Sequence, residues 1–81
     1  MEKISYFKVY DTNRIAGAKK YLITCEGVGM REHSNSLHEA KKVCDALNNY
    51  ANTIATENDI KTYNERQTDS IYTVVYESYQ K

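Results

Sequence analysis

Ser36-Leu37-His38-Glu39-Ala40-Lys41-Lys42-Val43-Cys44-Asp45-Ala46-Leu47-Asn48-Asn49-Tyr50-Ala51-Asn52-Thr53-Ile54 is the stretch that decides the fold. Leu37, Ala40, Cys44, Leu47, Ala51 and Ile54 recur at alternating spacings of three and four. That is one apolar stripe with the period of an α-helix, widened by Val43 and Tyr50 on its flank. The start is marked too, because Ser36 and Glu39 form a capping box. The Ser36 hydroxyl would accept from the Glu39 N–H, and the Glu39 carboxylate would accept from the Ser36 N–H. The helix should end near Ile54 to Thr56, with no glycine to cap it. A helix this amphipathic must lay its stripe on something.

What lies N-terminal to it reads as β-strand. Lys3 to Tyr10 alternates, with Ser5, Phe7 and Val9 on one face and Ile4, Tyr6, Lys8 and Tyr10 on the other. Asp11-Thr12-Asn13 breaks the run with turn residues. Lys20 to Glu26 predicts a second strand, Tyr21, Ile23 and Cys25 facing one way and Lys20, Leu22 and Thr24 the other. Gly27-Val28-Gly29 reads as a hairpin turn that leads Met30 to His33 into a short third strand. Past the helix, Glu57 to Asp69 is polar except for Ile60 and Tyr63. It reads as a polar loop or insert with some local structure; a frayed helical turn and a weak edge strand are the alternatives. Ser70 to Tyr79 predicts the last strand. Its Ile71-Tyr72-Thr73-Val74-Val75-Tyr76 is almost pure β-former and suits a strand central in the sheet. The expected fold is α+β: one amphipathic helix packed on a small, mainly antiparallel sheet of three or four strands, in the order β-β-(β)-α-β, as a single domain over residues 1–81.

Bulk properties narrow the function. Eighty-one residues make one domain with a thin core. Eleven basic and eleven acidic side chains cancel, so no overall field draws the chain onto nucleic acid or an anionic membrane. The halves differ mildly: residues 1–42 hold eight Lys/Arg against five Asp/Glu, and residues 43–81 hold three against six. Cys25 and Cys44 fit small buried thiols of a reducing compartment. No signal-peptide pattern and no membrane-length apolar run is read, so the protein is expected to be soluble and cytoplasmic, in the host cell if phage-encoded.

Catalytic chemistry finds little footing. Cys25, His33, His38 and Cys44 are zinc-binding types, but their spacing is not that of a finger or ribbon, and His38 and Cys44 do not converge on a helix. Cys44 belongs to the apolar stripe and Cys25 to a core-facing strand position, where thiols are inert. Gly27-Val28-Gly29 begins like a dinucleotide fingerprint, but the third glycine position is Glu32. No catalytic residue, metal site or cofactor is expected.

A sheet has two faces, and only one convincing helix is present. The helix should cover Phe7, Val9, Ile23, Cys25, Ile71 and Val75. The opposite face would carry Tyr6, Tyr10, Leu22, Tyr72, Val74 and Tyr76, with Lys8 and Lys20 among them. Left uncovered, these residues form an amphipathic aromatic patch of the kind that marks an interface. Two other readings stay open: a plain solvated sheet face, and an inverted assignment with the tyrosines under the helix. The same rings and lysines are also the ingredients of a single-stranded nucleic-acid platform, against which stand the zero net charge and the missing RNP-type motif.

The chain as a whole has a resemblance. Tyr6-Phe7-Lys8-Val9-Tyr10-Asp11, Ser36-Leu37-His38-Glu39-Ala40-Lys41-Lys42, Ala46-Leu47-Asn48 and Tyr72-Thr73-Val74-Val75-Tyr76-Glu77 together resemble small accessory proteins of phages and bacterial mobile elements. The Glu57–Asp69 insert departs from their compact version. The resemblance implies a factor that binds and inhibits a host or defence protein, as anti-CRISPR and anti-restriction proteins do. The expectation is therefore a protein-binding module, a phage-type inhibitor or accessory protein. It would act by stoichiometric binding through the tyrosine-rich face or an exposed strand edge, with a homodimer as one form. The alternative is a single-stranded nucleic-acid-binding protein using the same face.

Overall fold

In the computed structural model, β1 (Lys8–Asp11), β2 (Tyr21–Thr24) and β3 (Arg31–Ser34) precede α1 (Leu37–Ile54), and α2 (Glu57–Glu65) and β4 (Thr73–Glu77) follow it. Residues 3–15, 19–25, 31–65 and 72–79 are described. The four strands form one sheet in the order β3-β2-β1-β4, each pair antiparallel. The fold is the expected α+β arrangement with α1 on the sheet.

Alternation explains which side α1 takes. Val9 pairs with Ile23 across β1 and β2, and both are fully buried. With Phe7, Cys25, Ala40 and Cys44 they make the core. Ala40 and Cys44 are small, which lets the helix axis come close to the strands. Both cysteines are free and buried. The stripe is buried through Ala40, Cys44 and Asn48, while Ile54 stands exposed at the helix end. Ser36 caps α1 by accepting from the Glu39 N–H at 3.4 Å. The return half of the box differs from expectation, since the Ser36 N–H donates to Ser34 Oγ at 3.1 Å. The last residue of β3 thus does the work expected of Glu39.

Asn48 is the residue that locks α1 to both chain ends. It is fully buried. Its Oδ1 accepts from the Phe7 N–H at 2.7 Å, and its Nδ2 lies 2.9 Å from Phe7 O, 3.0 Å from Ser5 Oγ and 2.8 Å from Ser78 Oγ. A buried amide this well satisfied fixes the register between helix and strand, because a shift in either would strand polar groups in the core. Asn52, one turn on, repeats the pattern with Ile4, accepting from its N–H at 2.9 Å and donating to its carbonyl at 2.8 Å.

Three expectations are corrected. Residues 57–65 of the expected polar loop are helix α2. Thr56 starts it: its N–H donates to Asp59 Oδ2 at 2.9 Å, and the Asp59 N–H donates to Thr56 Oγ1 at 3.2 Å. That is a capping box in which Asp replaces Glu. The expected Gly27-Val28-Gly29 turn and residues 66–69 of the expected insert lie outside the described residues. The last strand is not central: β4 is an edge, and β1 and β2 hold the middle. Strand propensity reports fit to a pleated surface and says little about position in the sheet.

The third correction concerns the faces. β1 pairs with β4 as Val9↔Tyr76 and then Tyr10↔Val74, so Val75 is an extra residue on β4. This β-bulge resets the alternation. Tyr76 falls on the same face as Val9, beside α1, and Val74 falls on the face of Tyr10. The expected placement of Val75 under the helix fails for the same reason, and it stands 39% exposed. Ile71 lies outside the described residues.

Candidate functional site

The eight residues expected to form one open aromatic face are split by the fold. Tyr6 is buried in the core, its ring edge-on to Tyr63 of α2 with centroids 5.0 Å apart. Tyr10 and Leu22 face each other across β1 and β2, and each is only 6% exposed. Val74 shares their side of the sheet and is 44% exposed. Tyr72 is half-buried just ahead of β4. Tyr76 lies on the other side, where its hydroxyl donates to the Asp45 carboxylate of α1 at 2.8 and 3.1 Å. That bond, with burial adding to it, pushes the Tyr76 hydroxyl up to about 12. The Lys41 ammonium sits 5.4 Å from the same ring.

The two lysines of the expected patch are engaged. Lys8 pairs with Glu77 at 3.3 Å, and Lys20 with Asp11 at 3.5 Å. Burial works against the Lys8 charge, but Tyr63, Glu77 and Tyr10 together outweigh it and hold its pKa up. The inverted face assignment is right for Tyr76. For Tyr10 and Leu22 the side is as expected and the exposure is not.

A thiol, a hydroxyl and a carboxylate do converge elsewhere. Ser78 Oγ donates to Asp45 Oδ1 at 2.6 Å and lies 3.7 Å from Cys44 Sγ. The arrangement has no imidazole, since His33 and His38 are exposed on β3 and α1. Burial pushes the Cys44 thiol up, against hydrogen bonds from Ser78 and Asn48 that act the other way. A fully buried thiol held protonated is a packing element. Among the described residues, no three His, Cys, Asp or Glu side chains group as metal ligands, and no helix is long and apolar enough to cross a membrane.

What the fold leaves on the surface is an asymmetry between its two sheet edges. β3 ends one side with Arg31, Glu32 and His33 all exposed. Charged side chains on an edge discourage another strand from pairing there. β4 ends the other side with Thr73, Val74 and Val75 exposed, and its first charged residue is Glu77 at the end. Among the described residues, nothing pairs with the outer side of β4. An aliphatic edge of this kind offers unpaired backbone N–H and C=O groups to an extended chain. Strict alternation along β4 would put Val75 under the helix, and the β-bulge that turns it outward has no local signature in a Val-Val pair.

Among the described residues the geometry therefore defines a small α+β domain with one guarded and one open sheet edge. No family model, curated protein or solved structure matches the chain.

Proposed function

We propose that this protein is a small binding module that engages a partner protein stoichiometrically, with the outer edge of β4 as its docking strand. The observation that carries the reading is the contrast between the charged β3 edge and the aliphatic Thr73-Val74-Val75 edge. A partner segment would add as a further strand, its main chain supplying affinity and the side chains of alternate residues supplying specificity. A specific interface buries about 800 Å² on each partner. Five edge residues fall short of that, so the partner also touches the flanks of β4. Lys41 and Tyr76 lie on one flank, and Val74 and Glu77 on the other. Self-pairing of two β4 edges alone meets the same shortfall, which makes a different protein the better occupant.

The resemblance to phage and mobile-element accessory proteins suggests a host or defence protein as the partner, in the manner of anti-CRISPR or anti-restriction factors, with the cytoplasm as the place of action. Stacking of single-stranded nucleic acid on the expected face finds no support, because it would need the Tyr6 and Tyr10 rings that the core has taken.

Val75→Lys tests the reading. The side chain is exposed and unpaired in the β1–β4 ladder, so the substitution leaves the core untouched. The expected result is an unchanged circular-dichroism spectrum and loss of the partner that the unmodified protein captures at equal stoichiometry. Retention of that partner at the same stoichiometry would refute the β4 reading.

A further inference from the structure

α2 meets the rest of the described chain along one side only. None of its residues is fully buried, and Ile60 and Tyr63 are the side chains that pack against the core. Tyr63 crosses the Tyr6 ring edge-on, and its hydroxyl donates to Ser5 O at 3.2 Å. Beneath it, the Tyr6 hydroxyl is buried and has no hydrogen-bond partner among the described residues. A dry hydroxyl is a standing penalty that water would remove. Closing α2 over Tyr6 therefore sets the gain from burying two rings against the loss of that hydroxyl's hydration.

The mechanical layout suits independent opening. Two residues, Ala55 and Thr56, join α2 to α1, and Ala55 is already extended; at its other end the chain runs on from Glu65 to β4, so α2 swings as a segment held at both ends. The Thr56–Asp59 cap and the Lys61–Glu65 pair are internal to α2 and its first turn, so opening breaks neither. The body holds itself by contacts in which α2 takes no part: Val9 against Ile23, and Asn48 on Phe7 and Ser78.

We propose that α2 is a flap that opens about the Ala55–Thr56 joint independently of the α1–sheet body, uncovering the Tyr6 ring and wetting its hydroxyl. The open form presents an aromatic surface with a hydroxyl that can donate or accept. Local openings of this kind draw on the least-buried elements of a fold. The inference stands apart from the β4 reading, since no residue of that edge enters it.

Native-state amide exchange with the full chain tests the flap. The expected result is that amides from Ile60 to Glu65 exchange faster than those of β1 and of the Ala40–Asn52 part of α1. Tyr6→Phe, which removes the dry hydroxyl and keeps the ring, should slow exchange in α2 about tenfold. Two results would overturn the proposal. One is exchange in α2 at the β1 rate, which means that α2 opens only when the whole protein unfolds. The other is fast exchange in α2 that Tyr6→Phe leaves unchanged, which means that the helix frays without uncovering Tyr6.

Discussion

Replacing Asn48 with Ala should be among the most damaging single changes in this protein. The amide is fully buried, and its Oδ1 accepts from the Phe7 N–H at 2.7 Å. Removing it leaves that N–H dry, at a cost of about 1–3 kcal/mol. The donations to Phe7 O and Ser78 Oγ are lost as well, but those acceptors are not abandoned. Phe7 O keeps Cys44 Sγ at 3.2 Å and Ser5 Oγ at 2.8 Å, and Ser78 Oγ keeps Asp45. Bonds lost from groups that keep another partner are worth roughly 0.5–1.5 kcal/mol each. Together these come to roughly 2–6 kcal/mol, about 4 at the middle of the ranges, before any cavity left by the side chain is counted. A domain of this length has a total stability of roughly 4–12 kcal/mol, so the loss is a large share of it. Urea unfolding followed by circular dichroism reads the effect. With a slope of roughly 1–1.5 kcal/mol/M for a small protein, the midpoint should fall by about 2 M or more at unchanged slope. Asn52→Ala is the control, since Asn52 is half-buried and serves Ile4 near the chain end; it should cost roughly 1 kcal/mol. An Asn48→Ala variant within about 0.5 kcal/mol of the unmodified protein, or equal to Asn52→Ala, would refute the reasoning.

Two further outcomes follow from the charged and polar contacts. The Asp45 carboxylate favours the neutral Tyr76 hydroxyl, whose pKa rises from 10.0 to about 12. The stabilisation is fully present below pH 10 and is lost as pH rises through about 12. Burial also raises Tyr6 and Tyr79, so an ultraviolet titration should show these and Tyr76 ionising after the unperturbed members of the eight tyrosines, and Tyr76→Phe should remove one tyrosine's amplitude from that late phase; an unchanged late amplitude in the variant would contradict the assignment. Asp59 is held below its ordinary 3.8 by the Thr56 N–H and hydroxyl. Its capping contribution is present above pH 3.8 and fades as pH falls through the lower folded value, so α2 should lose amide protection in acid before β1 does. Simultaneous loss in both would count against the Thr56–Asp59 cap.

Legibility varied with how far each feature depended on neighbours. The α1 stripe is a local periodicity, and the Phe7-Val9 and Ile23-Cys25 alternation points the same way, so helix, strands and core could be read together. α2 carried a signal as well: Thr56-x-x-Asp59 is the same kind of cap as Ser36-x-x-Glu39, followed by Ile60 and Tyr63 at helical spacing. The polar composition of the stretch outweighed it. Asn48 stands four residues after Cys44 and three before Ala51, squarely on the stripe, and a polar residue there is the mark of a buried amide. Val75 is different. Whether Val74-Val75 runs as regular strand or as a bulge is settled by the partner strand, and that one residue moved Tyr76 from the expected platform to a bond with Asp45. The burial of Tyr10 and Leu22 is likewise a tertiary outcome with no local mark.

The central claim is that β4 is the edge a partner protein joins. The most direct measurement is amide exchange of the protein alone and in its captured complex, compared strand by strand. Strand addition predicts that exchange across Thr73 to Tyr76 slows in the complex while Arg31 to His33 of β3 is unchanged. Slowing confined to β3, or no change at β4 in a complex that has formed, would contradict the account.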